Sequence, residues 1–152
     1  MINIYLGLFA KNLYICKLII EYKMAKKNTN LTESKALAQL IAQGMSDKKA
    51  QNITILDLRN VVGAPSSFFV ICTGNSPLHT QAISDNIHEI VKKTTNEHSY
   101  KLEGYNNGEW VLMDYFDVVA HIFVEKTREY YRLEQLWADG IMTEIKEQQI
   151  TK

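Results

Sequence analysis

With 152 residues, the chain has room for one domain with tails, and a domain of this size buries roughly two-thirds of the surface its unfolded chain exposes, enough for a real core. Its 17 Lys and Arg balance 17 Asp and Glu, which excludes a global field pulling the chain toward nucleic acid. The two cysteines, Cys16 and Cys72, have no CxxC or CxxH spacing, which excludes a disulfide framework and a cysteine zinc site and fits a reducing cytoplasm.

Met1 to Ile20 is apolar-rich, but Asn3, Lys11, Asn12 and Lys17 interrupt it before it reaches the ~20 apolar residues of a membrane span. A signal peptide places its positive charge first, whereas the first charge here is Lys11. Residues 1–31 therefore read as an N-terminal extension, with no membrane anchor and with Met24 as a plausible true start.

Thr32 is a good N-cap, Glu33 suits the positive end of a helix dipole, and Leu37, Leu40, Ile41 and Met45 recur at helical spacing, so a helix is expected from Thr32 to about Ser46. Ile53–Leu58 reads as a strand, and Gly63-Ala64-Pro65 breaks the chain after it. Phe68–Thr73 is apolar without alternation, the mark of a central strand covered on both faces. Ser76 followed by Pro77 is a helix start, and Ile83, Ile87, Ile90 and Val91 give that helix one apolar face.

A short strand, Tyr100–Glu103, should join Glu109–Tyr115 through the turn residues Asn106-Asn107-Gly108 as a hairpin. Val118–Val124 forms a further strand, and a final helix is expected from Glu125 to Ala138, stopped by Gly140. The order implies one mixed β-sheet of about five strands flanked by helices, in the α/β or α+β class, spanning residues 32–140, with 141–152 as a C-terminal tail.

The Gly74-Asn75-Ser76 turn between strand and helix raises a phosphate-binding reading, because helix N-termini attract anions. It has neither Gly-x-Gly-x-x-Gly nor Gly-Lys-Ser/Thr, and a helix cap explains it. A nucleotidyltransferase also needs paired carboxylates to hold magnesium, and Lys101-Leu-Glu103 carries one with no Asp-x-Asp. His79, His88, His98 and His121 have no helical metal spacing, and His121 in its apolar strand reads as a hydrogen-bonded core residue. Catalytic residues, metal ligands and cofactors are all expected to be none.

The distinctive quarter of the chain runs from Glu97 to Asp139, where nine acidic residues face four basic ones, Lys101, Lys126, Arg128 and Arg132. Aromatic residues crowd the same stretch. On strand alternation Trp110, Leu112 and Asp114 share one face, and Val111, Met113 and Tyr115 the other. Tyr130, Leu133 and Trp137 form an i, i+3, i+7 stripe, with Tyr131 and Glu134 beside it. An acidic aromatic surface suits a basic protein partner better than a nucleic acid. The candidate contacts are Trp110 and Leu112 as apolar anchors, Asp114, Asp117 and Glu134 as partners for Lys or Arg, and Tyr130, Tyr131 and Trp137.

These segments resemble the ribosomal silencing factor (Iojap) family. The resemblance rests on Asp57-Leu-Arg59, Phe68-Phe-Val-Ile-Cys-Thr-Gly-Asn-Ser76, Glu103-Gly104, Trp110-Val-Leu-Met-Asp-Tyr115, Asp117-Val-Val-Ala-His-Ile-Phe123 and Arg128-Glu-Tyr-Tyr-Arg-Leu-Glu-Gln-Leu-Trp137, taken in order and spacing. It implies a nucleotidyltransferase-like fold without the catalytic carboxylates and a translation repressor rather than an enzyme. Such factors bind the large ribosomal subunit through its ribosomal protein number fourteen and block joining of the small subunit during starvation or stationary phase. Organellar relatives act in large-subunit assembly, members can form homodimers, and no direct nucleic-acid specificity is implied. The competing readings are a nucleotide-binding protein of the nucleotidyltransferase type and a large-subunit assembly factor.

Overall fold

A computed structural model describes residues 31–146. The chain divides into two units, Met1–Glu33 and Ser34–Lys152, and the sheet and its packing belong to the second. Cys16 and the expected extension lie outside the described residues. In chain order the elements are α1 (Leu31–Asp47), β1 (Gln51–Asp57), β2 (Phe68–Gly74), α2 (Pro77–Thr95), β3 (Lys101–Glu103), β4 (Trp110–Asp114), β5 (Val118–Val124), α3 (Glu125–Tyr131), α4 (Leu133–Leu136) and β6 (Ile141–Glu144).

The strands form one mixed six-stranded sheet in the order β3-β4-β5-β2-β1-β6. Every residue of β2 is buried, and β2 lies between β5, its parallel neighbour, and β1, its antiparallel one. That is the position its uninterrupted apolar run predicts. The parallel pair needs a crossover, which α2 and the β3–β4 hairpin provide. Ser76 caps α2 by accepting the His79 N–H at 3.1 Å, and Pro77 occupies the first turn, as the sequence signals require.

Alternation sorts the side chains onto two faces. On one, Ile53, Phe68, Val70, Cys72, Val111, Met113, Val118, Ala120 and Ile122 pack with Ile41 and Met45 of α1 and Ile83, Ile87 and Val91 of α2. On the other, Leu56, Phe69, Ile71, Val119 and Phe123 pack with Leu133, Trp110, Leu112 and Trp137. Burial of a Val, Ile, Leu or Phe contributes about 1.5–3 kcal/mol each, so these two layers supply the main drive to fold. Cys72 is fully buried, and its thiol pKa is pushed up by that burial.

Four expectations change. Helix α1 begins at Leu31, so Thr32 sits inside its first turn. The sheet has six strands, because Ile141–Glu144, within the stretch expected as a tail, pairs antiparallel with β1. All four residues of β6 are exposed, so hydrophobic alternation carried no signal for it. Finally, the single helix expected from Glu125 to Ala138 is broken at Arg132, which adopts φ 47°, ψ 53°. The break returns Leu133 and Trp137 to the sheet, so Tyr130, Leu133 and Trp137 do not form one stripe: Leu133 is buried, Trp137 packs beside it, and Tyr130 is 81 % exposed.

Candidate protein-docking face

Trp110 opens β4, directly opposite Phe123 of β5 and diagonal to His121. Its indole stacks on Phe123 (ring centroids 4.9 Å apart, 25° between planes) and is flanked by Tyr131 at 4.7 Å. Its Nε1–H donates to His121 Nδ1 at 3.2 Å. Tyr130 meets Tyr131 edge-on at 5.1 Å. Trp110, Tyr131 and Tyr130 therefore make one continuous aromatic surface, anchored to the sheet at one end and open at the other.

Leu112 is half-buried on the same sheet face, opposite His121, with Asp114 two residues further along. The hairpin partner β3 adds Lys101 and Glu103, paired with Asp114 and Leu112. Lys101 and Glu103 form an exposed ion pair of the kind that contributes little to stability. This end of the face combines a fixed indole, exposed tyrosines, a half-buried leucine and carboxylates.

The remaining candidates are Trp137, Asp117 and Glu134. Trp137 stacks edge-on against Phe69 at 6.0 Å, within the second apolar layer. Asp117 follows the β4–β5 turn, where its carboxylate accepts from Ser34 Oγ of α1 at 3.4 Å. Glu134 accepts from Arg128 Nε at 2.9 Å and lines a cleft of about 870 Å³ between β1, β6 and the α3–α4 break. Asp114 accepts the Phe116 N–H at 2.7 Å through one carboxylate oxygen. The structure thus brings Trp110, Leu112, Asp114, Tyr130 and Tyr131 to one side, keeps Trp137 on the same sheet face but packed on Phe69, and separates Asp117 and Glu134 from them.

His121, read in sequence as a hydrogen-bonded core residue, is 4 % exposed and bonded to Trp110. Its packing against Phe69 (4.6 Å) and Phe123 (6.2 Å) strips it of water, and desolvation lowers its pKa to about 3. Its link to Trp110 depends on strand register, which the local sequence does not display.

The turn before α2 is closed on itself. Asn75 N–H donates to His79 Nδ1 at 3.0 Å, so the His79 proton sits on Nε2 and reaches Lys48 O at 2.7 Å. Thr80 N–H bonds Ser76 O at 3.0 Å. The Asn75, His79 and Thr80 amides at this helix start are thus engaged within the turn rather than turned toward a ligand. Among the described residues, no three His, Cys, Asp or Glu side chains gather as a metal-binding set, and no helix is long and apolar enough to cross a membrane.

Residues 31–152 match the family described as ribosomal silencing factor during starvation. The chain belongs to the ribosomal silencing factor family. It is 38 % identical over 109 residues to the ribosomal silencing factor of Halalkalibacterium halodurans, covering 72 % of this chain and 92 % of that one. The Bacillus subtilis protein of the same name is 34 % identical over 111 residues, covering 73 % and 92 %. A crystal structure of a Chromobacterium violaceum protein superposes with a TM-score of 0.65 at 28 % identity, over 68 % of this chain and 85 % of that one. Homologues in this family are named for a regulatory role at the ribosome.

Proposed function

We propose that this ribosomal silencing factor binds the large ribosomal subunit through its ribosomal protein number fourteen and sterically prevents the small subunit from joining. The mechanism requires occupancy of a surface and no bond chemistry. The observation that carries the reading is the aromatic surface of Trp110, Tyr131 and Tyr130 at the open end of an apolar sheet face, with the Asp114 and Glu103 carboxylates further along the same hairpin. Tryptophan and tyrosine are the residues most enriched at interface hot spots. Such carboxylates complement a basic ribosomal protein: charge speeds and orients encounter, and aromatic burial slows release. Trp110 and Leu112 are the anchors in this reading, and Asp114 is the partner for Lys or Arg.

The test is subunit joining on a density gradient. Purified large subunits are incubated with the protein before small subunits and magnesium are added. Co-migration with the large subunit and a reduced joined-ribosome peak support the proposal. Normal joining, with the protein left at the top of the gradient, overturns it. A cytoplasmic location and a homodimer belong to the same proposal, and light scattering of the purified protein reads the dimer. Residues 32–140 carry the binding, so a chain starting at Met24 should inhibit joining as the full chain does.

A further inference from the structure

His121 has one engaged and one orphaned nitrogen. Nδ1 accepts the Trp110 indole N–H, so the neutral ring carries its own proton on Nε2. That Nε2 is buried with no hydrogen-bond acceptor. An unsatisfied buried donor is unfavourable, and the surroundings, Phe69 and Phe123, would accept a leucine without it. What the histidine adds over an apolar residue at this position is the acceptor for Trp110.

Trp110 sits where that acceptor matters. Phe123 and Tyr131 bound its ring, but ring contacts alone permit sliding and rotation in the ring plane. A directional N–H···N bond removes that freedom. It also occupies the only polar atom of the indole, so the ring's outer edge is entirely carbon.

We propose that His121 is a positioning residue for docking: it locks the Trp110 indole in its binding orientation and withholds the indole N–H, so that Trp110 meets the partner as an apolar edge. This deepens the docking reading above and rests on it. Pre-ordering an anchor before encounter reduces the side-chain freedom lost on binding, and that is how His121 raises affinity without touching the partner. Burial keeps the imidazole neutral, as the acceptor role requires.

The test compares His121→Leu, which removes the acceptor, with His121→Asn, whose side-chain oxygen can replace Nδ1. Binding to purified large subunits should weaken about tenfold or more in the Leu variant and return to within about threefold in the Asn variant. In a Trp110→Phe background, which has no indole N–H to hold, His121→Leu should change affinity by less than about twofold. A purely structural histidine would instead cost the same in both backgrounds. A second readout needs no partner. With Trp137→Phe leaving one tryptophan, the indole N–H of Trp110 should exchange slowly with solvent in the wild-type and Asn proteins and rapidly in the Leu protein. Equal binding by the wild-type and Leu proteins, or equal losses in both backgrounds, overturns the positioning role. Failure of the wild-type protein to bind subunits overturns the docking reading itself, and the indole readout then separates loss of the partner from loss of the lock.

Discussion

Arg128 and Glu134 face each other across the break between α3 and α4. Arg128 Nε donates to Glu134 Oε1 at 2.9 Å, and Nη1 continues to Asn52 O at 2.8 Å and Thr73 Oγ1 at 2.9 Å. One guanidinium thus ties both short helices to β1 and β2. Neither α3 nor α4 is long enough to persist alone, since isolated helices below about 12 residues are marginal. Arg128→Met should therefore lower stability by about 2 kcal/mol, a value reduced for partial exposure (14 % and 20 % for the two side chains), with loss of α3–α4 protection in hydrogen exchange. An unchanged urea midpoint would show that Leu133 and Trp137 hold the segment unaided.

Gly104 has φ +72°, and a Cβ there would lie 1.9 Å from the Trp110 carbonyl oxygen. That contact is with backbone, so no side chain can swing away. Gly104→Ala should displace the start of β4, lower stability by more than about 1 kcal/mol and weaken subunit binding through Trp110. Thermal unfolding and gradient co-migration measure the two effects. A substituted protein that keeps full stability would mean that the hairpin relaxes freely.

Burial lowers the folded-state pKa of His121 to about 3, below the unfolded value near 6.5. The unfolded chain therefore gains a proton below about pH 6.5 that the folded chain refuses. The contribution of His121 is complete above that pH and is lost as pH falls from about 6.5 toward 3, at up to about 1.4 kcal/mol per pH unit. Urea midpoints between pH 7 and 4.5 should fall more steeply for the wild-type protein than for His121→Asn. Parallel curves would remove His121 as the cause.

Core and surface aromatics should separate cleanly. Trp137 is partly buried against Phe69, so Trp137→Ala should cost about 1–2 kcal/mol of stability, less than a fully buried tryptophan. Tyr130 is 81 % exposed, so Tyr130→Ala should stay within about 0.5 kcal/mol in stability while weakening subunit binding. Trp110→Ala in a folded protein should cost about 2 kcal/mol of binding. Unchanged affinity in the Trp110 and Tyr130 variants would move the docking surface elsewhere on the chain.

Signals that act over a few residues were legible in the sequence. The unbroken apolar run placed Phe68–Gly74 at the centre of the sheet, Ser76-Pro77 started α2, and alternation put Trp110, Leu112 and Asp114 on one face. Each follows from a local steric or hydrogen-bonding rule that the chain obeys wherever it folds. Tertiary structure alone decided three things. Arg132 takes a left-handed backbone because Leu133, Trp137 and the Arg128 anchors are satisfied together only if the helix breaks there. The exposed residues 141–144 became a strand because the edge of β1 offered unpaired backbone groups, and their side chains show no alternation of burial. Trp110 and His121 met because strand register set them diagonally across β4 and β5, a relation that no spacing along the chain encodes.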